Sequence, residues 1–426
     1  MKIIEGFEAL KSILSRQGPS SDFEIDEREK AVREIITEIS RRGDAALFEY
    51  TQRFDGVTLD ALEVSKKQVI VASNSVDQEL LSALDLAAER IYTYHIAQRD
   101  SLLSEGVRDG LGWLIRPLKR IGIITPGFTS PLPSSLLMAA VPAKVAGVKE
   151  IILATPPQKN GSVHPAILAA AKIAGVDRIF SVGGAQAVAA LAYGTESILS
   201  VDKIFGPGNI YVTLAKKLLY GVVGIDGLFG PSEVVIIADD KANPAYCASD
   251  LLAQAEHTSG SAIMLTTSWK TAHKVRNEVE VQLKGLKNRE EAEKNLEDWG
   301  MIGLVESINE AVELANLYAP EHLLMLVENA ESYLDKITAA GCVITGEKGT
   351  VALCDYIAGP AHILPTGGTA RFGSPLNVTD FVKITSLIDT DKIDIKEIGR
   401  AAQIIAETEG LDAHAKAIGK RLEDPS

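Results

Sequence analysis

Cysteine is scarce in this chain: Cys247, Cys342 and Cys354 are the three in 426 residues. So few thiols, irregularly spaced, exclude a disulfide scaffold and fit a reduced, cytoplasmic protein in which each is a small buried hydrophobe. Aromatic residues are few as well, at 5%, which points to an interior of Ala, Val and Ile, as in α/β proteins. Positive charge is in deficit, and a formal net charge of −14 argues against nucleic acid or an anionic membrane as partner. No apolar run approaches the roughly 18 residues of a membrane span. The opening MKIIEGFEALKSILSRQG breaks its apolar residues with Glu5, Glu8 and Lys11, unlike a signal peptide. Also missing are G-x-G-x-x-G after a strand and G-x-x-x-x-G-K-[ST], so the usual dinucleotide and triphosphate loops are absent.

What is present suits two or three domains, given the length. Residues 1 to about 115 read as helices, through DEREKAVREIITEISRRGDAALFEYTQRF and DQELLSALDLAAERIYTYHIAQRD. From Arg120 the texture changes. RIGIIT, EIILATPP, RIFSVGG and VDKIFGPG are short β-branched runs separated by Ala-rich helical stretches, a pattern of βαβ units and a parallel sheet. It repeats from EVVIIADD through SAIMLTTS, MIGLVES, HLLMLVEN and GCVITG. Two parallel-sheet domains follow, with duplication of one ancestor left open by period alone. The tail from about Asp380 turns charged and helical, too poor in apolar residues for a separate domain, and is expected to lie on a neighbour.

Several residues could carry chemistry. In LLAQAEH, Gln254 and His257 lie three apart, on one face of a helix, as two ligands to one metal or as a surface amide and a capping histidine. SVGGAQAVAAL (Gly183, Gly184, Gln186) and IFGPGNIYVTLAKK (Gly206, Gly208, Asn209) are strand-to-helix turns. Each offers backbone N–H groups to an anion, or is simply a tight βα turn. Of seven histidines, His95, His164 and His273 have no carboxylate or Gly-rich neighbours and read as surface or capping residues. His257, His322, His362 and His414 keep richer company: Glu321 adjoins His322, and Asp355 precedes His362 by seven residues. Nitrogen and oxygen donors scattered over distant segments suit a Zn²⁺ site assembled by the fold. Glu321-His322, on a loop entering a strand, could supply two proton transfers at one centre or be a solvated Glu and a turn His.

Taken together, VPAKVAGV, VGGAQAVAALAYGTES, VDKIFGPGNIYVT, GPSEVVIIAD, SDLLAQAEH, YAPEHL, DYIAGP and the closing EGLDAH resemble the histidinol dehydrogenase family, in family order from about residue 25 onward. The resemblance implies two incomplete Rossmann-like parallel-sheet domains, a helical N-terminal region, and a C-terminal arm exchanged across a homodimer. It divides the chain into 1–22, a domain of 23–125 plus 235–375, a domain of 126–234, and an arm of 376–426. The implied activity is zinc-dependent, NAD-linked oxidation of L-histidinol to L-histidine through the aldehyde. Zinc ligands are implied at Gln254, His257 and Asp355, with His414 from the partner subunit. The metal then orients a substrate that it holds by its amino and imidazole nitrogens. These positions also touch substrate, together with Ser232, His322, His362 and, from the arm, Glu409. His322 resembles the base for the hydroxyl proton, and Glu321 the group that activates water for the aldehyde step. Cys354, beside Asp355, is a rival for aldehyde capture.

The chain departs from the family at the cofactor wall. Ile124 stands where the family has a Tyr that packs on the dinucleotide, and Phe128 where it has Gly. Ile cannot stack or donate as Tyr does, although the Phe128 ring is available nearby. Gln186 and Asn209, matching the family's other NAD contacts, are retained. The approach to GPSE, with Leu228-Phe229-Gly230, differs from the usual Met-Pro-Ala, and Ala361 replaces an Asn beside His362. Two other functions therefore stay open: a paralogue oxidising another amino alcohol or diol, and a metal-binding homologue without catalysis.

Overall fold

A computed structural model describes residues 1–15, 23–126 and 131–423. Its frame is two parallel sheets. In the five-stranded one the spatial order is Arg178–Ser181, Glu150–Thr155, Arg120–Ile124, Lys203–Phe205 and Gly224–Ile225, which is 3-2-1-4-5 along the chain. The six-stranded one runs Lys2–Glu5, Met301–Leu304, Ser261–Thr266, Glu233–Ala238, His322–Leu326 and Cys342–Thr345. Without its N-terminal strand, this order is also 3-2-1-4-5. The strands are the β-branched runs of the sequence, and most are apolar from end to end because helices cover both faces. The shared strand order adds to the repeated texture a topological reason to regard the two units as duplicates.

The helices of residues 23–102 attach differently from the sequence-based division. They were grouped with 235–375, yet they pack on the five-stranded unit. Val32, Ile35 and Leu47 meet the Ala-rich helix Gly184–Tyr193, while Leu84 and Ile91 meet the helix Pro133–Ala146. The bidentate Arg178–Glu63 pair, at 2.7 and 2.9 Å, ties the same segment down. Conversely, Lys2–Glu5 is a strand rather than part of a helical segment, pairing in parallel with Met301–Leu304.

A third sheet is antiparallel and was not legible in the sequence: Gly106–Arg108, Leu111–Pro117 and Val382–Ile388. It begins inside the stretch read as helical and ends inside the tail read as helical. The remaining tail is a hairpin of Ile395–Thr408 and Asp412–Leu422, joined closely where Gly399 meets Leu422. Ile384 and Ile388 of the strand, with Ile398, Ile404, Ile405 and Leu411 of the hairpin, are exposed. Among the described residues no helix is long and apolar enough to cross a membrane.

Candidate active site

The first cluster of titratable side chains lies at the N-terminal ends of the six-stranded sheet. His322 is the first residue of its strand and pairs in register with Val234 on one side and Cys342 on the other. Glu321 precedes it. Both are buried, at 8% and 2% exposure, so neither the solvated glutamate nor the turn histidine is realised. Glu321 accepts a hydrogen bond from the Glu233 backbone N–H at 2.9 Å. Burial pushes its carboxyl up to about 7, against the opposing pull of His322. His322 Nε2 lies 3.4 Å from Asp355 Oδ1 and Nδ1 lies 3.8 Å from Glu321 Oε2. Neither ring nitrogen has a full hydrogen bond. Burial opposes its charge, yet Asp355 and Glu321 outweigh burial and raise its pKa, making it a stronger proton acceptor than a free imidazole.

Gln254 and His257 reach this cluster from the helix Pro244–Ala255. That helix stops two residues short of His257, because Glu256 caps it, Ser259 is left-handed at φ 57°, and Gly260 closes against the Gln254 carbonyl. His257 therefore sits in the turn rather than on the helix, held near Gln254 by its N–H to the Gln254 carbonyl at 3.3 Å. The Gln254 amide is buried and its Nε2 has no partner. Asp355 comes from the short helix Val351–Tyr356. Burial works against its charge, but His322, His362 and His257 all face it and together hold its carboxyl below the usual range. Amide, imidazole and carboxylate are all donor types that zinc accepts, and of these His257 and Asp355 face each other. Among the described residues no three His, Cys, Asp or Glu side chains are gathered as a metal site.

His362 joins the two units. Its Nδ1 contacts the Asp355 carbonyl, and its Nε2 lies 3.0 Å from Ser135 Oγ on the helix Pro133–Ala146. Burial favours the neutral ring. Ser232, half-buried, leads into the strand Glu233–Ala238, its carbonyl accepting from Ser261 N–H. His414 and Glu409 are both exposed on the terminal hairpin, and among the described residues neither side chain makes a hydrogen bond or ion pair.

A second feature is a cleft of about 680 Å³ at the C-terminal edge of the five-stranded sheet. It opens where strand order reverses, between Arg120–Ile124 and Lys203–Phe205, the usual ligand crevice of doubly wound sheets. Ile124, Gln186 and Asn209 all line it. The helix Gly184–Tyr193 points an N-terminus without a side-chain cap toward it. The next helix differs from expectation, since the Asn209 side chain accepts from Tyr211 and Val212 N–H and so consumes donors read as free for an anion. Phe128 lies outside the described residues.

Sequence reasoning missed the opposite wall, from the helix Asp44–Asp55: Tyr50 and Phe54 stack at 5.5 Å, and Asp55 turns a buried, unpartnered oxygen into the region, its carboxyl pushed up to about 6 by burial. The i, i+4 aromatic spacing in EYTQRFD is the signal for it. Asp250 and Ser135 were missed too, because their partners are 100 and 227 residues away. Of the histidines given structural roles, His164 caps the helix Pro165–Ile173 and His273 is exposed against Trp269. His95 is not at the surface: it is fully buried, bonded to the Ile91 carbonyl, on the face of its helix that enters the core.

Comparison with known proteins places this geometry. The family model described as histidinol dehydrogenase matches residues 19–422. A histidinol dehydrogenase of Dehalococcoides mccartyi (strain CBDB1) is 50% identical, over 99% of this chain and 100% of that one. One from Listeria monocytogenes is 45% identical with both chains covered in full. The crystal structure of histidinol dehydrogenase from Elizabethkingia anophelis superposes with a TM-score of 0.92 at 36% identity, covering 99% of this chain and 98% of that one.

Proposed function

This chain belongs to the histidinol dehydrogenase family, and from that premise we propose that it oxidises L-histidinol to L-histidine in two NAD-linked steps through the aldehyde, in the cytoplasm, as the end of histidine biosynthesis. The observation that carries the reading is the buried Glu321–His322 pair beside Asp355, with the unpartnered Gln254 amide and His257 at hand.

In this reading Gln254, His257 and Asp355 hold zinc, His414 of the partner subunit completes the set, and zinc when bound supplies Lewis-acid orientation of the substrate nitrogens. Ser232, His362 and the partner's Glu409 contact the rest of the substrate. His322 takes the hydroxyl proton as the carbinol hydrogen leaves as hydride toward the cleft lined by Ile124, Gln186 and Asn209. Glu321 then accepts a proton from the water that attacks the aldehyde carbon, and the hydrate gives up the second hydride. Each alcohol thus reduces two NAD⁺ and consumes one water. Cys354 has no part in this, since its sulfur lies 3.9 Å from that of Cys342, and that contact together with burial holds its thiol well above the usual range.

The homodimer is supported by the exposed apolar residues of the antiparallel strand and hairpin, a patch that a second copy would cover. NADH formed per L-histidinol by the zinc-loaded protein tests the whole reading, with two as the expected value. Ile124 and Ala361, both buried at the altered walls, favour one alternative, a dehydrogenase of another amino alcohol or diol. Turnover of such an alcohol in place of histidinol would establish it, and failure to bind NAD⁺ would leave a non-catalytic metal-binding homologue. His257→Asn should abolish zinc binding and activity while the thermal transition stays cooperative; activity retained without metal would refute the ligand set.

A further inference from the structure

Cys342 and Cys354 meet beside the catalytic pair although they come from different elements. Cys342 opens the edge strand Cys342–Thr345, in register with His322, and Cys354 lies in the helix Val351–Tyr356, one residue before Asp355. Their sulfurs are 3.9 Å apart and both residues are half-buried, within reach of a small oxidant. The third thiol, Cys247, is fully buried in the core, and burial pushes it up to about 12.

We propose that Cys342 and Cys354 form an oxidative modification site that a peroxide converts to a disulfide, switching the enzyme off. Peroxide oxygen transfers to one sulfur, giving a sulfenic acid and water. The second thiol then displaces the hydroxyl as another water, so that two thiols and one hydrogen peroxide give one disulfide and two waters. A disulfide of ~2.05 Å needs the sulfurs to close by about 1.9 Å. That movement pulls the short helix toward the strand. Asp355, the next residue, faces His322 at 3.4 Å and offers its carbonyl to His362, so both contacts shift with it. The effect on activity rests on the proposed roles of Asp355 and His322; formation of the bond does not.

The test treats the full-length zinc-loaded protein with graded hydrogen peroxide. Histidinol-dependent NADH formation is followed, and alkylated, non-reduced digests are examined by mass spectrometry. A peptide linking 342 to 354, lighter by two hydrogens, should grow as activity falls, and dithiothreitol should reverse both. Cys342→Ser and Cys354→Ser should keep their untreated activity and thermal transition while losing roughly tenfold in peroxide sensitivity. Inactivation of the serine variants at the wild-type rate, an absent linked peptide, or a linked form that stays active would each overturn the proposal. Should histidinol not be the substrate, the linked peptide still forms, so the two failures are distinguishable.

Discussion

Asp250 positions another carboxylate without touching the reacting atoms. It sits one helical turn before Gln254, and its Oδ1 accepts from Thr350 Oγ1 at 2.5 Å and Val351 N–H at 3.2 Å. It thereby fixes the start of the helix that carries Asp355 against the helix that carries Gln254. Asp250→Ala should weaken zinc binding by about 10–100-fold, read by chelator competition, while Asp250→Asn, which keeps the acceptor, should lose much less. Glu321 makes a prediction with pH. A base for water must be ionised, and burial holds this carboxyl near 7, so oxidation of supplied aldehyde should rise as pH passes upward through about 7. Glu321→Gln should remove that rise and slow the aldehyde step by about 10²–10⁴-fold, releasing one NADH per alcohol instead of two; a second equivalent formed at the wild-type rate would exclude the role. Glu321 and His322 are legible in sequence because they are adjacent. Asp250 and Ser135 are not, since nothing local marks a contact made by the fold.

At the scale of elements, the wall of the cleft on the five-stranded sheet is clamped from behind. The helix Ile210–Leu219 contributes Lys216, which is buried with Asp226 in an ion pair of 2.7 Å. Lys216 Nζ donates to the Gly206 carbonyl, Asp226 accepts from the Gly206 N–H, and both sides of one glycine are held. Gly206 has φ 107°, and a Cβ there would fall 2.1 Å from the Ile124 carbonyl, so the loop can approach that strand only as glycine. Lys216→Met leaves a buried carboxylate unpaired and should cost about 3–5 kcal/mol, seen as a lowered Tm. The double variant Lys216→Met/Asp226→Leu should recover stability yet keep a raised KM for NAD⁺ with an unchanged KM for histidinol; equal effects on both would make the pair merely structural. The parallel strands were legible because burial on both faces demands unbroken apolar runs. The antiparallel strands were not, because Leu111–Pro117 and Val382–Ile388 are half-exposed and mixed in composition. The end of the helix before His257 depended on a turn closed by Gly260, which helical spacing alone does not report.

For the molecule as a whole, two units of like strand order have diverged at their crevices. In the six-stranded unit the reversal point is closed by the chain itself: Asp239 accepts from Lys241, Ala242 and Glu328 N–H groups, and Lys241 pairs with Glu328. The other unit keeps its crevice open, so both hydrides are expected to leave at a single cleft per subunit. That leaves the hairpin, whose His414 and Glu409 are exposed in one chain. Mixed dimers of His322→Ala and His414→Ala subunits separate exchange from a contribution within one chain. With exchange, the intact arm of the first subunit serves the intact core of the second, giving one working site in each mixed dimer. Equal amounts denatured and refolded together should then regain about a quarter of wild-type activity, since about half the dimers are mixed and each has one site of two. If the arm serves its own chain, every site carries a lesion and the mixture stays as inactive as either parent.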